Sequence, residues 1–60
     1  MATKITLEFD YRTTKQQVSE ALIIAGTDIS LDSFDMSSDR DVRLRDDVGM
    51  DVGTMYVRTM

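Results

Sequence analysis

The stretch "TKITLEFDYRTTKQQVSEALIIAG" (residues 3–26) changes its hydrophobic period part-way along, and that change decides the fold class. From Thr3 to Tyr11 apolar and polar residues alternate. Ile5, Leu7, Phe9 and Tyr11 share one side; Lys4, Thr6, Glu8 and Asp10 share the other. A period of two belongs to a strand with one face in a core and one in water. The period then lengthens. Val18, Ala21, Leu22 and Ala25 follow the i, i+3, i+4, i+7 spacing of one helix face. Thr13 and Thr14 each precede a glutamine by three residues, the capping-box pattern of a helix start. Gly26 offers the left-handed conformation that commonly ends a helix. The spacing predicts a strand over 3–11 and a helix over about 14–25 packed on the strand's apolar face. Ile23 and Ile24 widen the helix stripe, with Ile23 partly exposed.

Downstream, "DVRLRD" (41–46) alternates again, Val42 and Leu44 inward against Asp41, Arg43 and Arg45. "TMYVRTM" (54–60) sets Met55 and Val57 against Tyr56 and Arg58. Between them "DVGMDVG" (47–53) carries Gly49 and Gly53, both free to take positive φ, so a β-hairpin with a loop longer than two residues is expected. "ISLDSFDM" (29–36) is ambiguous: Ile29 and Leu31 have one parity, Phe34 and Met36 the other. It reads either as a broken strand or as an irregular segment dropping apolar anchors into the core. The expected fold is one α+β domain over residues 1–60, β-α-(β)-β-β, a single helix on a three- to four-stranded, mainly antiparallel sheet. A strand returning parallel to the first in that sheet would do so by a right-handed crossover. The uncovered sheet face would hold Lys4, Thr6, Glu8, Asp10, Arg43, Arg45, Tyr56 and Arg58. Ion pairs of Glu8 or Asp10 with Arg43 or Arg45 are expected there.

Composition narrows the function. At 60 residues the core is marginal, and with no Cys and no His neither disulfides nor the usual zinc ligand sets can staple it. Self-association is the remaining route, so a homodimer or a tight foreign partner is expected. The charged N-terminal stretch is unlike a signal peptide, and the longest apolar run, "ALIIA", is far short of a membrane span. A cytoplasmic location and no membrane partner are the expectation. The net charge of −4, from 11 acids against 7 bases, disfavours nucleic acid and favours basic protein surfaces.

Chemistry finds few footholds. Without His or Cys, the commonest general base and the strongest side-chain nucleophile are missing, so no enzymatic activity is expected. Asp39, Asp41, Asp46, Asp47 and Asp51 supply hard oxygens, but an EF-hand frame begun at Asp39 puts Arg43, Leu44 and Met50 at positions needing an acid, a glycine and a glutamate. The glycines lack the Lys-Ser/Thr of a phosphate loop. No metal or cofactor is expected. Met50, apolar between aspartates at the hairpin tip, suits a docking contact.

No segment carries a family motif. In size, charge and lack of Cys and His the chain is similar to small acidic accessory proteins of bacteriophages, which implies binding and blocking of a host factor. The reading is a non-catalytic protein-interaction module, an acidic inhibitor or modulator that occludes a basic surface of its partner through Asp39, Asp41, Asp46, Asp47, Met50 and Asp51. The alternative from another class is a structural subunit assembling through strand edges, residues 3–11 and 54–60. A third is a nucleic-acid binder using Arg43, Arg45 and Arg58.

Overall fold

The computed structural model describes residues 2–60. Strand β1 (Thr3–Phe9) is followed by helix α1 (Lys15–Ser30), then by strands β2 (Arg40–Arg45) and β3 (Asp51–Thr59). The architecture is α+β, as the patterning implies. The sheet has three strands in the order β1-β3-β2, with β3 antiparallel to both neighbours. The last strand is therefore the middle one, and β1 and β2 run in the same direction on either side of it. This corrects the assignment of residues 54–60 as a free edge: the edges are β1 and β2. It also removes the expected pairing of Glu8 or Asp10 with Arg43 or Arg45, because β3 stands between. Glu8 faces Thr54, and Thr54 faces Arg43. Among the described residues the ion pairs are Arg58–Asp41 at 2.9 Å and Arg43–Asp51 at 3.6 Å, both largely solvated.

β1 ends two residues before the alternation does. Tyr11 is 91% exposed rather than inward, because the chain turns at Asp10–Thr13, where the Thr13 amide donates to the Asp10 carbonyl at 3.2 Å. Arg12 takes φ +73° there, a conformation that costs a side-chain-bearing residue. The helix starts as its sequence signals. The Gln17 amide donates to Thr14 Oγ1 at 3.1 Å, and the Thr14 amide donates to Gln17 Oε1 at 2.9 Å. It does not stop at Gly26. A glycine inside a helix costs about 1 kcal/mol, and here continuation carries Ile29 onto the core in the last turn. No strand forms between α1 and β2. Beyond Leu31 the chain is irregular and drops Phe34 against the core while Met36 stays exposed, the anchor alternative for this segment.

The β2–β3 register explains Val52 and Gly53. Leu44 pairs with Gly53 but Arg45 pairs with Asp51, so Val52 is an extra residue in β3. The bulge turns Val52 inward, where it is buried. Gly53 is a strand residue and not part of the turn, which corrects its expected role; of the two glycines Gly49 alone takes positive φ, at +85°. The requirement at Gly53 is space: a Cβ there would collide with the Glu8 carbonyl oxygen and lie 2.9 Å from Phe9 Cα.

The buried core comprises Ala21, Ala25, Leu44, Val52, Met55 and Val57. The small alanines let the helix approach the sheet closely. It lies over β2 and β3, which leaves Ile5, Leu7 and Phe9 of β1 only half-buried. Among the described residues no helix is long and apolar enough to cross a membrane.

Candidate functional site

The β2–β3 connection is the best-organised feature that faces solvent. The Asp46 amide donates to the Met50 carbonyl at 3.1 Å, and the Gly49 amide donates to the Asp46 carbonyl at 3.1 Å. Asp47, Val48 and Gly49 thus form a three-residue loop, with glycine where the backbone must turn left-handed. Asp46 Oδ1 also accepts from the amides of Val48 at 3.1 Å and Met50 at 2.9 Å. Its Oδ2 accepts from Gln17 Nε2 at 3.2 Å, tying the hairpin to the first turns of α1. A second tie runs from the Asp47 amide to Glu20 Oε1 at 3.1 Å. Donors converging on Asp46, the Met50 amide foremost, hold its carboxyl below the ordinary carboxylate range.

This changes the part Asp46 plays. It is 5% exposed, covered by its own turn and by Gln17, and offers no free charge to a partner. Its carboxylate shapes the loop. What the loop displays is apolar: Val48 is 79% and Met50 62% exposed. Asp47 is exposed beside them, and Asp51, also exposed, shares its charge with Arg43.

The other two aspartates lie at the far end of β2. The six residues of β2 separate Asp39 from Asp46 by roughly 20 Å, and Asp41, inside the strand, lies about 13 Å along it from Arg45, which faces Asp51. There Asp39 Oδ1 accepts from the Thr59 amide at 2.8 Å and hydroxyl at 3.1 Å, which lowers its pKa, the amide contributing most. Asp41 pairs with Arg58. The candidate surface thus divides: Asp47, Met50 and Asp51 come together at the tip, while Asp39 and Asp41 do not join them. Among the described residues no three His, Cys, Asp or Glu side chains are gathered as an ion would need.

The chain matches no family model, no curated protein and no solved structure. Its function is therefore argued from its own surface. Val48 is the exposed residue that alternation in the sequence did not mark, since it falls between the two strand patterns. The spacing Asp46-x-x-Gly49 is its one signal, because aspartate opens and glycine closes a turn whose intervening side chains point to water.

Proposed function

We propose that the chain is a non-catalytic protein-binding module, an acidic inhibitor or modulator that docks its β2–β3 tip on a basic surface of a partner macromolecule. The observation that carries this reading is the combination of a fixed backbone with two exposed apolar side chains. Asp46 satisfies the Val48 and Met50 amides, so the loop is pre-shaped, while the side chains of those same residues stand in water. Pre-shaping lowers the ordering cost of binding. Asp47 and Asp51 flank the apolar pair and supply steering toward Lys and Arg.

The test is capture of partners from a cell lysate by tagged wild-type chain and by a variant carrying Asp47→Lys, Val48→Ser and Met50→Ser. Asp46 is left intact so that the loop keeps its shape. A partner held by the wild type, lost by the variant and released by moderate salt supports docking through the tip. Equal retention by both proteins, or no partner for the wild type, contradicts it.

A further inference from the structure

The β1 edge of the sheet carries a second surface, independent of the tip. Ala2 and Met60 exchange both backbone hydrogen bonds, at 3.2 and 2.8 Å, and the Asp10 amide donates to the Val52 carbonyl at 2.8 Å. In an antiparallel ladder the bonding residues alternate, so Lys4, Thr6 and Glu8 direct their backbone groups to β3. Thr3, Ile5, Leu7 and Phe9 direct theirs outward, on an edge that nothing pairs among the described residues.

That edge borders an apolar surface. Ile5, Leu7 and Phe9 are half-buried because α1 lies over the other two strands. Ile24 and Asp28 face β2, so by helix geometry Leu22, about 160° around the axis from Ile24, overhangs the β1 side. Leu22 is 48% exposed. An unpaired strand edge beside an open apolar shelf invites a further strand.

The charges on β1 specify which strand. Lys4 and Glu8 sit two residues either side of Thr6, the middle residue of the seven-residue strand, all three on the solvent face. We propose that β1 pairs antiparallel with β1 of a second copy about a two-fold axis through Thr6. In this register all seven residues of each strand are paired. Lys4 of each copy lies opposite Glu8 of the other. Ile5 meets Leu7 as a hydrogen-bonded pair, which is the pair whose backbone groups point outward. Shifting the register by two shortens the ladder and breaks both Lys4–Glu8 pairs, one such shift setting Lys4 instead opposite Asp10, which lies beyond the strand; shifting by one sets apolar residues against the solvent face. The product is a six-stranded sheet with both helices on one side, the β1 shelves and the two Leu22 side chains meeting over the seam.

Two variants test the register. Lys4→Glu leaves two acids on this face of β1, and Glu8→Lys leaves two bases. Both positions are exposed, and circular dichroism checks that each variant folds. Sedimentation of the wild type should show a dimer, and each variant alone should dissociate at least roughly tenfold more readily, since like charges then oppose each other twice per seam. An equimolar mixture should recover the dimer, because acids on one chain now face bases on the other. A monomeric wild type, variants that dimerise as the wild type does, or a mixture that stays apart would each overturn the proposal. A second readout bypasses the charges. The chain has no cysteine, so Thr6→Cys should form a disulfide dimer on mild oxidation, its two Cα atoms being in bridging range on the axis. Thr54→Cys, on the same face of the middle strand, should not. Equal cross-linking of the two would contradict pairing at β1. Substitutions at Asp47, Val48 and Met50 should leave dimerisation unchanged, so failure of one proposal is distinguishable from failure of the other.

Discussion

The two edges of the sheet are built differently. β2 lies under the helix, buries Leu44, and directs Asp41, Arg43 and Arg45 away from the core. It is also bracketed by carboxylates, Asp39 fastening its start to Thr59 and Asp46 closing its hairpin. β1 lies at the margin of the helix, which packs mainly on β2 and β3, it has no such carboxylate brackets, and of its seven residues only Lys4 and Glu8 are charged. Charged residues on an edge discourage the approach of a further strand. The lesson is that one helix covers only part of this three-stranded sheet. The finished part is guarded, and the unfinished part is left open.

The strongest way to break this contrast is at Gly53 of β3, where the backbone of β1 leaves no room for a side chain. Gly53→Val would drive a branched side chain into the Glu8 backbone, which cannot swing aside. A loss of at least about 4 kcal/mol is expected. Hydrogen exchange should show β1 released first, while the β2–β3 amides keep their protection. Next come paired truncations. Leu44→Ala, in the fully buried part of the core, should cost about 3 kcal/mol by denaturant melting. Leu7→Ala, on the half-covered strand, should cost about 1 kcal/mol at micromolar concentration. The gap should narrow as concentration rises, because the proposed β1 pairing would cover Leu7.

Acid should act on the β2 side. Asp39 and Asp46 are held below the ordinary aspartate value, chiefly by the Thr59 and Met50 amides. Asp35, in the segment leading into β2, is lowered to about 2 by the Ser37 hydroxyl and amide and the Ser38 hydroxyl. A depressed folded pKa contributes stability in full above the unfolded value of about 3.9 and loses it as pH falls through the folded value. Thermal midpoints should therefore hold steady down to about pH 4 and drop toward pH 2. Asp46→Asn and Asp39→Asn should each flatten that drop.

Much of this was legible in the sequence, and what was not has physical causes. Alternation placed Ile5, Leu7, Phe9, Val42, Leu44, Met55 and Val57 on the inner face, and the Thr14–Gln17 capping box marked the helix start. Helix termination at Gly26 misled because a local preference of about 1 kcal/mol yields to one more apolar anchor, Ile29. Strand order was hidden, since alternation reports a strand's two faces and not its neighbours; β3 in the middle removed a presumed edge and separated the presumed ion pairs. Asp46 belonged to the candidate surface by charge alone. Its three acceptor contacts depend on a turn geometry that composition does not specify.

The smallest effect sharpens the contrast at the turns. The chain leaves β1 through Arg12 at φ +73°, whereas the β2–β3 turn uses Gly49 at +85°. Arg12→Gly should raise stability by about 0.5–1 kcal/mol, the relieved backbone cost less the added freedom of the unfolded chain. Gly49→Ala should lower stability by a similar amount.

The most direct test of the edge contrast is amide exchange followed by NMR across a range of protein concentrations. The outward amides are those of Ile5 and Leu7 on β1 and of Asp41 and Arg43 on β2, from the alternation of the two ladders. Protection at Ile5 and Leu7 should rise with concentration while Asp41 and Arg43 continue to exchange rapidly. Protection that stays flat on β1, or that rises on β2 instead, would contradict the assignment of β1 as the joining edge.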